Sequence, residues 1–234
     1  MAKTTKTKQK SIVNDSSLLF LKSYLNNASP TGFESSGQKL WLNYIKPYID
    51  THFVDPYGTA VGVINPDEKF KVVIEAHADE ISWFVNYITN DGLIYLKRNG
   101  GVDHQIAPGK RVIIQGKKGL VKAVFGWPAI HTRMGGGEKE TQPKVENLFL
   151  DCGARSKKEV AALGIHIGAV ATYEEGFDEL AYGYYIGRAM DNRIGGFMIA
   201  EVARLLKESK KKLPFGLYIV NAVQEEIGLR GGEM

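Results

Sequence analysis

The fold of this chain is decided by one stretch, Phe215-Gly216-Leu217-Tyr218-Ile219-Val220-Asn221-Ala222-Val223, which is followed directly by Gln224-Glu225-Glu226-Ile227-Gly228. The first part is short and apolar and is opened by Pro214, which predicts a buried strand. In the loop beyond it, two neighbouring carboxylates can converge on one centre, where one binds a metal ion and the other moves a proton. A glutamate pair before glycine is also typical of a solvated turn or a helix N-terminus, so this pair decides nothing alone.

Two further clusters of ionisable side chains lie where strands are expected to end. The run Lys71-Val72-Val73-Ile74-Glu75-Ala76 predicts a strand that delivers His77-Ala78-Asp79-Glu80 at its carboxyl end. Tyr184-Tyr185-Ile186-Gly187 predicts another strand, just before an amphipathic helix that begins near Asp191. Asp191 alone would be a plain helix-capping residue. Because ligands of open α/β sheets bind beyond the carboxyl ends of the strands, the three clusters together indicate one site.

Composition limits the class of protein. The chain has 234 residues, 44% of them hydrophobic, which is enough for one large or two small domains. Its first ten residues hold Lys3, Lys6, Lys8 and Lys10 and no acid, so we expect residues 1–13 to be a disordered basic tail. These lysines alone account for the formal net charge of +4. The remainder has no basic excess, and nucleic-acid binding is not expected.

The sequence also bears on location. No uncharged apolar run is long enough to cross a bilayer, and no apolar signal-peptide region follows the first lysines. Cys152 is the single cysteine, which fits a reducing compartment and a small core residue better than a nucleophile. We therefore expect a cytoplasmic protein without membrane contact.

The pattern of elements changes twice along the chain. Residues 14–81 alternate helices and strands, and the same rhythm returns at residues 174–234. Between them, residues 82–173 form short strands separated by turn residues, such as the hairpin signal Asn90-Asp91-Gly92. The sequence thus predicts an α/β domain in two segments, interrupted by an inserted β-rich domain. Four histidines lack metal-ligand spacing and are given structural roles: His52, His104, His131 and His166.

The three clusters together offer an imidazole and several carboxylates, a donor set that zinc-type metals accept. Two such ions about 3.5–4 Å apart can activate one bridging water. The motifs that carry this chemistry resemble those of a known family, the dimetal aminopeptidases that include tetrahedral aminopeptidase and glutamyl aminopeptidase. Their order and spacing match along nearly all of the chain after residue 15, and the motifs are His77-Ala78-Asp79-Glu80-Ile81, Ala189-Met190-Asp191-Asn192-Arg193 and Gln224-Glu225-Glu226-Ile227-Gly228-Leu229-Arg230-Gly231.

The resemblance implies a zinc-peptidase α/β domain interrupted by a β-rich dimerisation domain at residues 82–173. It implies a homo-oligomer in which dimers assemble into particles as large as a dodecamer. It also implies two divalent metal ions, with zinc favoured and cobalt as the alternative, and short peptides as substrates that are hydrolysed at their N-terminal residue.

The resemblance also implies a role for each site residue. His77 would be a ligand of one metal ion, Glu226 a ligand of the other, and Asp191 the ligand that both share. Asp79 would orient His77 through its second ring nitrogen. Glu225 would be the general base that takes a proton from the attacking water and returns it to the leaving amine.

The chain departs from the family pattern in two places. Ser82 stands where the family usually has glycine, and the chain stops at Met234, before the part of the peptidase domain that carries a further Asp and a final His ligand. The sequence therefore resembles the N-terminal part of such an enzyme, which we expect to bind metal weakly and to be inactive by itself. The alternative is a catalytically incomplete homologue that acts as an oligomerisation or regulatory remnant. An endoglucanase, as some relatives have been described, is disfavoured because adjacent glutamates are poorly placed to flank a glycosidic bond.

Overall fold

The computed structural model describes residues 12–133 and 142–232, and most of the expected tail, residues 1–11, lies outside them. Five helices occur in the described part of the chain: α1 Asp15–Asn26, α2 Ser35–Ile45, α3 Ile130–Arg133, α4 Lys157–Ala162 and α5 Met190–Ser209. The strands are β1 Thr51–Val54, β2 Ala60–Ile64, β3 Lys71–His77, β4 Ser82–Ile88, β5 Ile94–Asn99, β6 Arg111–Gly116, β7 Gly119–Gly126, β8 Phe149–Asp151, β9 Val170–Tyr173, β10 Asp178–Leu180, β11 Tyr184–Ile186 and β12 Gly216–Ala222.

The first two helices begin or end beside residues that favour helix termini. Asn14 caps α1 and accepts a hydrogen bond from the backbone N–H group of Ser17 at 2.9 Å, which satisfies one of the donors left free at a helix start. Helix α2 ends at Ile45, and a short 3-10 turn over Lys46–Tyr48 carries Pro47, which cannot continue a helix.

The main sheet has four strands in the order β1-β2-β12-β3. Strand β12 pairs antiparallel with β2 and parallel with β3, so that Asn221 lies opposite Ala76 and Ala222 opposite His77. Because parallel strands end at the same edge of a sheet, this register places the residues after His77 beside the residues after Ala222. The two motifs that are most distant in sequence are therefore neighbours.

Helices α1, α2 and α5 pack on one face of this sheet and form its core with the strands. Trp41 and Tyr24 are fully buried there, and the Trp41 indole N–H group donates a hydrogen bond to the Gly196 carbonyl at 2.8 Å. The core is made of Phe20, Leu21, Tyr24, Leu25, Trp41, Leu42, Ile45, Ala60, Ala76, Phe197, Ile199, Ala200, Ala203, Leu217 and Ile219. Burial of so much apolar surface fixes α5 against β3 and β12.

Strands β4 to β9 form a closed barrel in the order β4-β5-β8-β7-β6-β9. The barrel closes where the first of these strands pairs with the last, with Trp83 opposite Ala171. Closure leaves no free edge, and the interior is filled by apolar side chains that include Trp83, Val85, Ile94, Leu96, Val112, Ile114, Phe125, Leu148, Leu150 and Ala171.

The expectation of an α/β fold interrupted by a β-rich insertion is confirmed. One element differs from the expectation. Strand β11 does not join the main sheet, but pairs antiparallel with β10 in an exposed two-stranded ribbon. The reason is that this aromatic run buries no face, so its β-propensity produces only a local hairpin. No helix within the described residues has the length and apolar character that a membrane span requires.

Candidate active site

The site lies at the shared carboxyl edge of β3 and β12. His77, the last residue of β3, is 7% exposed. Its Nε2 atom lies 3.5 Å from Glu225 Oε2 and 3.5 Å from Asp191 Oδ1. One imidazole nitrogen therefore faces two carboxylates that come from different parts of the chain.

The glutamate pair is held in a tight turn after β12. Gln224 has a left-handed backbone with φ 55°, and Glu225–Ile227 form a single 3-10 turn that ends at Gly228 with φ 116°. The backbone N–H group of Gln224 donates to Glu34 Oε1 at 3.1 Å, and the Tyr57 hydroxyl donates to Gln224 Oε1 at 3.0 Å. These contacts hold Gln224 in a conformation that non-glycine residues rarely adopt.

Asp79 connects β3 to this turn. Its fully buried carboxylate accepts hydrogen bonds from the backbone N–H groups of Glu225 at 3.0 Å and Glu226 at 3.1 Å, and from the Thr31 hydroxyl at 2.9 Å. Burial alone would raise the pKa of Asp79, but His77 and these donors outweigh burial and lower the pKa below its ordinary value. Asp79 is thus held as a carboxylate.

The same carboxylate contacts His77. Asp79 Oδ1 lies 3.3 Å from His77 Nδ1, and the Asp79 carbonyl oxygen lies 3.2 Å from the same nitrogen. Burial acts to lower the pKa of His77, but Asp79 and the charges of Glu225 and Glu226 together raise it above its ordinary value. A proton on Nδ1 that faces Asp79 leaves Nε2 as the ring nitrogen that can bind a metal ion.

Asp191 reaches the site through the start of α5. Asp191 and Asn192 have non-helical backbone angles within the first turn of α5, and the Asp191 side chain is 92% exposed. Helix α5 approaches β3 closely, because a Cβ atom at Gly195 would lie only 3.1 Å from the Ala76 side chain. Glycine at position 195 therefore allows the approach that brings Asp191 to His77.

The donor set fits a divalent cation. Among the described residues, one group of side chains could hold a metal ion, with ligand atoms of His77, Glu225 and Glu226 all within 4.8 Å of one another. Burial raises the pKa of Glu226, and the negative charges of Asp79, Glu225 and Asp191 raise it further. Crowded carboxylates beside an imidazole form an environment that a zinc-type cation stabilises.

A cleft of about 410 Å³ opens over these side chains. It is lined by Glu75, Ala76, His77, Asn192, Glu225, Leu229 and Gly232. Glu225 keeps 33% of its side-chain surface exposed, so its carboxylate can reach a water molecule in the cleft. The arrangement can therefore bind a cation and place a base beside it.

The structure brings together all five residues selected from the sequence, His77, Asp79, Asp191, Glu225 and Glu226, while their individual roles stay predictions. The other histidines lie elsewhere: His52 is on β1, and His104, His131 and His166 belong to the segment 82–173.

Sequence reasoning missed three buried residues that support the site, which are Thr31, Glu34 and Glu80. Glu34 accepts hydrogen bonds from the backbone N–H groups of Gly32 at 2.7 Å and Gln224 at 3.1 Å. Burial raises the pKa of Glu34. In the sequence Glu34 simply follows the turn-forming residues Ser29-Pro30-Thr31-Gly32, and this position does not predict a contact with the distant Gln224.

Comparisons with known proteins identify the relatives of this chain. A family model described as M42 glutamyl aminopeptidase matches residues 58–234. The lysyl aminopeptidase of Pyrococcus furiosus is 27% identical over 215 residues, which cover 92% of this chain and 61% of that protein. The chain spans about three fifths of the length of the curated relatives it matches.

Solved structures share the fold. The TET aminopeptidase from the marine sediment archaeon Thaumarchaeota archaeon SCGC AB-539-E09 superposes with a TM-score of 0.89 at 28% identity, over 93% of this chain and 61% of that chain. The TET1 peptidase of Pyrococcus horikoshii, which can assemble into a tetrahedron or a large octahedral shell, gives a TM-score of 0.81 at 25% identity, over 93% of this chain and 64% of that chain.

Proposed function

The chain belongs to the M42 glutamyl aminopeptidase family, and from this premise we propose that the whole protein is a metal-dependent aminopeptidase that removes N-terminal residues from short peptides. The observation that carries the proposal is the convergence of Glu225 Oε2 and Asp191 Oδ1 on His77 Nε2, each at 3.5 Å. An imidazole and carboxylates that meet at the edge of a cleft form the donor set of a hydrolytic metal centre.

The proposal includes two divalent ions, with zinc preferred to cobalt. His77 would hold one ion, Glu226 would hold the other, and Asp191 would be a ligand that both share. When bound, ions of this kind polarise a carbonyl group and make water a nucleophile at neutral pH.

The side chains of the chain itself supply the proton transfers and the orientation. Glu225 takes the proton of the attacking water at its carboxylate and delivers it to the nitrogen of the leaving amine. Asp79 keeps His77 in the tautomer with the proton on Nδ1, because its Oδ1 atom lies 3.3 Å from that nitrogen. The backbone N–H groups of Glu225 and Glu226 are occupied by Asp79, so the turn keeps its shape during turnover.

The family match and the converged side chains favour a peptidase over a non-catalytic oligomerisation remnant. We infer in addition that residues 82–173 form a self-contained dimerisation domain and that dimers build a larger particle. Assembly of the TET1 relative into closed shells supports this inference. We also infer a cytoplasmic location, because the single cysteine, Cys152, is free and is compatible with a reducing compartment.

The function is tested with the full-length protein, once it has been freed of metal with a chelator. We expect it to cleave an unblocked peptide only after Zn²⁺ or Co²⁺ is restored, and to leave the same peptide with an acetylated N-terminus intact. Equal cleavage with and without metal, or cleavage of the blocked peptide, would contradict the proposal.

A further inference from the structure

Glu80 follows Asp79 directly but serves a different partner. Its side chain is 2% exposed, and its Oε1 atom accepts a hydrogen bond from the backbone N–H group of Ser29 at 2.7 Å. The backbone N–H group of Glu80 donates in turn to the Ser29 carbonyl at 3.0 Å. Glu80 is therefore fixed against the loop between α1 and α2, and its second carboxylate oxygen is free for another contact.

The Glu80 carboxylate contacts two arginines that flank Asp191, and Arg188 is the one that binds the second oxygen. Arg188 Nε donates to Glu80 Oε2 at 2.8 Å, and Arg193 Nη1 lies 3.8 Å from Glu80 Oε1. Arg188 precedes Asp191 by three residues and Arg193 follows it by two. Both guanidinium groups are largely withdrawn from water, with side-chain exposures of 12% and 0%. A buried carboxylate thus holds the chain on both sides of Asp191.

Arg193 is a buried cation that has Glu80 as a nearby carboxylate, and its Nη1 atom donates to the Asn27 carbonyl. Within the described part of the chain, its Nε and Nη2 atoms have no hydrogen-bond partner, while its guanidinium stacks 4.1 Å from the centre of the Tyr24 ring. A buried cation is stable only when a nearby anion compensates it, and Glu80 supplies that charge. Removing the charge of Glu80 would leave Arg193 with the Asn27 carbonyl and the Tyr24 ring as partners and without this compensating anion.

The position of Asp191 follows from this arrangement. Its own side chain is 92% exposed, so few contacts of the carboxylate itself fix its place. Its backbone lies outside helical geometry, so helical hydrogen bonding does not fix the place either. The segment 188–193 is instead held by its arginines. Arg188 also donates to the backbone carbonyls of Glu175 and Asn26, and Arg193 to that of Asn27, but Glu80 is the carboxylate that both arginines share and that joins them to the end of β3.

We propose that Glu80 is a positioning residue that holds Asp191 Oδ1 beside His77 Nε2 and so prepares the shared metal ligand before any ion arrives. Two successive carboxylates at the end of β3 then have different partners. Asp79 binds the turn that contains Glu225 and Glu226, and Glu80 binds the segment 188–193. The functional part of this inference rests on the proposed metallopeptidase activity, while the mechanical part does not.

The test compares Glu80→Gln with Glu201→Gln in the full-length protein. Glu201 is a matched control, because its buried carboxylate pairs with Arg204 at 2.7 Å on the same helix α5, away from Asp191. Glutamine at position 80 still accepts from Ser29 but presents an N–H group to Arg188. In metal-free protein we expect hydrogen exchange of the backbone over residues 188–193 to become faster in Glu80→Gln and to stay at the wild-type rate in Glu201→Gln.

Zinc titration supplies the second readout. Outer partners of metal ligands typically contribute 10- to 100-fold in affinity, so we expect a loss of about that size in Glu80→Gln and none in Glu201→Gln. Arg188→Met, which removes one arm only, should show a smaller change in both measurements and remains informative if Glu80→Gln folds poorly. Unchanged exchange over residues 188–193 in both of these variants would overturn the inference. If the wild type bound no zinc and cleaved no peptide, the proposed function would fail, whereas faster exchange would still support the positioning role.

Discussion

The Asp79 carboxylate accepts a hydrogen bond from the backbone N–H group of Glu225 at 3.0 Å, across a sequence separation of 146 residues. This contact joins the end of β3 to the turn after β12, and the same carboxylate contacts His77. One side chain therefore sets the orientation of the imidazole and the position of the glutamates together. A change at Asp79 should act on both halves of the site at once.

The first prediction concerns Asp79→Asn. The amide removes the negative charge and one acceptor for the N–H groups of the turn, so the free energy of unfolding should fall by about 2 kcal/mol. Zinc affinity should fall about 10- to 100-fold, because His77 loses its orienting partner. Denaturant unfolding and calorimetric zinc titration measure the two effects. Glu201→Gln is the control, and it should lose stability without losing zinc affinity. If Asp79→Asn also lost stability but kept its zinc affinity, Asp79 would not orient His77.

The second prediction separates the two glutamates. In the full-length protein, Glu225→Gln should retain zinc affinity and lose turnover by about 10²- to 10⁴-fold, the range that a general base contributes. Glu226→Gln should lose zinc affinity as well as turnover. The two variants are needed to tell base from ligand, because ligand atoms of Glu225, Glu226 and His77 all lie within 4.8 Å of one another. If Glu225→Gln lost zinc as strongly as Glu226→Gln, Glu225 would be a ligand and another group would be the base.

The third prediction concerns stability at low pH. Burial alone would raise the pKa of Glu201, but hydrogen bonds from Arg204, Tyr44 and Ser17 outweigh it and lower the pKa. A carboxylate with a depressed pKa in the folded state stabilises the protein above its unfolded pKa of about 4.3, and this contribution is lost as pH falls through the lower folded pKa.

Wild type and Glu201→Gln should therefore differ most in unfolding free energy near neutral pH, and the difference should shrink below about pH 4.3. Urea unfolding at a series of pH values measures it. A difference that stayed constant down to pH 3 would mean that Glu201 contributes through packing and not through its charge.

The fourth prediction concerns the barrel. Strands β4 to β9 close on themselves around their own apolar core, so a fragment covering residues 82–173 should fold without the rest of the chain. We expect this fragment to sediment as a dimer. Leu150→Ala, which opens a cavity at a fully buried position of the barrel, should destabilise the fragment by about 2–5 kcal/mol. A fragment that folded but stayed monomeric at high concentration would count against the dimerisation role.

Local signals in the sequence predicted much of the fold. The hairpin signal Asn90-Asp91-Gly92 acts over a few residues, and the structure has this turn between β4 and β5. The apolar runs that became β3 and β12 were equally clear. The strand expected at residues 184–187 is present as β11, but its pairing with β10 was not predictable, because propensity predicts a strand and not the partner with which it pairs.

The sequence predicted the site residues that belong to its motifs, but not the contacts that support them. Residues within one motif can be recognised from the sequence. The contact of Glu80 with Arg188 and the contact of Glu34 with Gln224 have no local signal in the sequence. Such contacts depend on how α5 and the turn after β12 approach the sheet. The order of the barrel strands is likewise set by pairings between distant segments, which local periodicity does not encode.

The pairing of Trp83 with Ala171 has a consequence for how the site assembles during folding. His77 and Asp191 are separated by the whole barrel in sequence, and an open chain of that length resists having its ends brought together. Once the barrel has closed, the distance along the chain shrinks to the short segments 77–83 and 171–191, a loop roughly fourfold shorter, which lowers the entropic penalty by about 1 kcal/mol. We therefore expect the barrel to close before His77 and Asp191 meet at the edge of the main sheet.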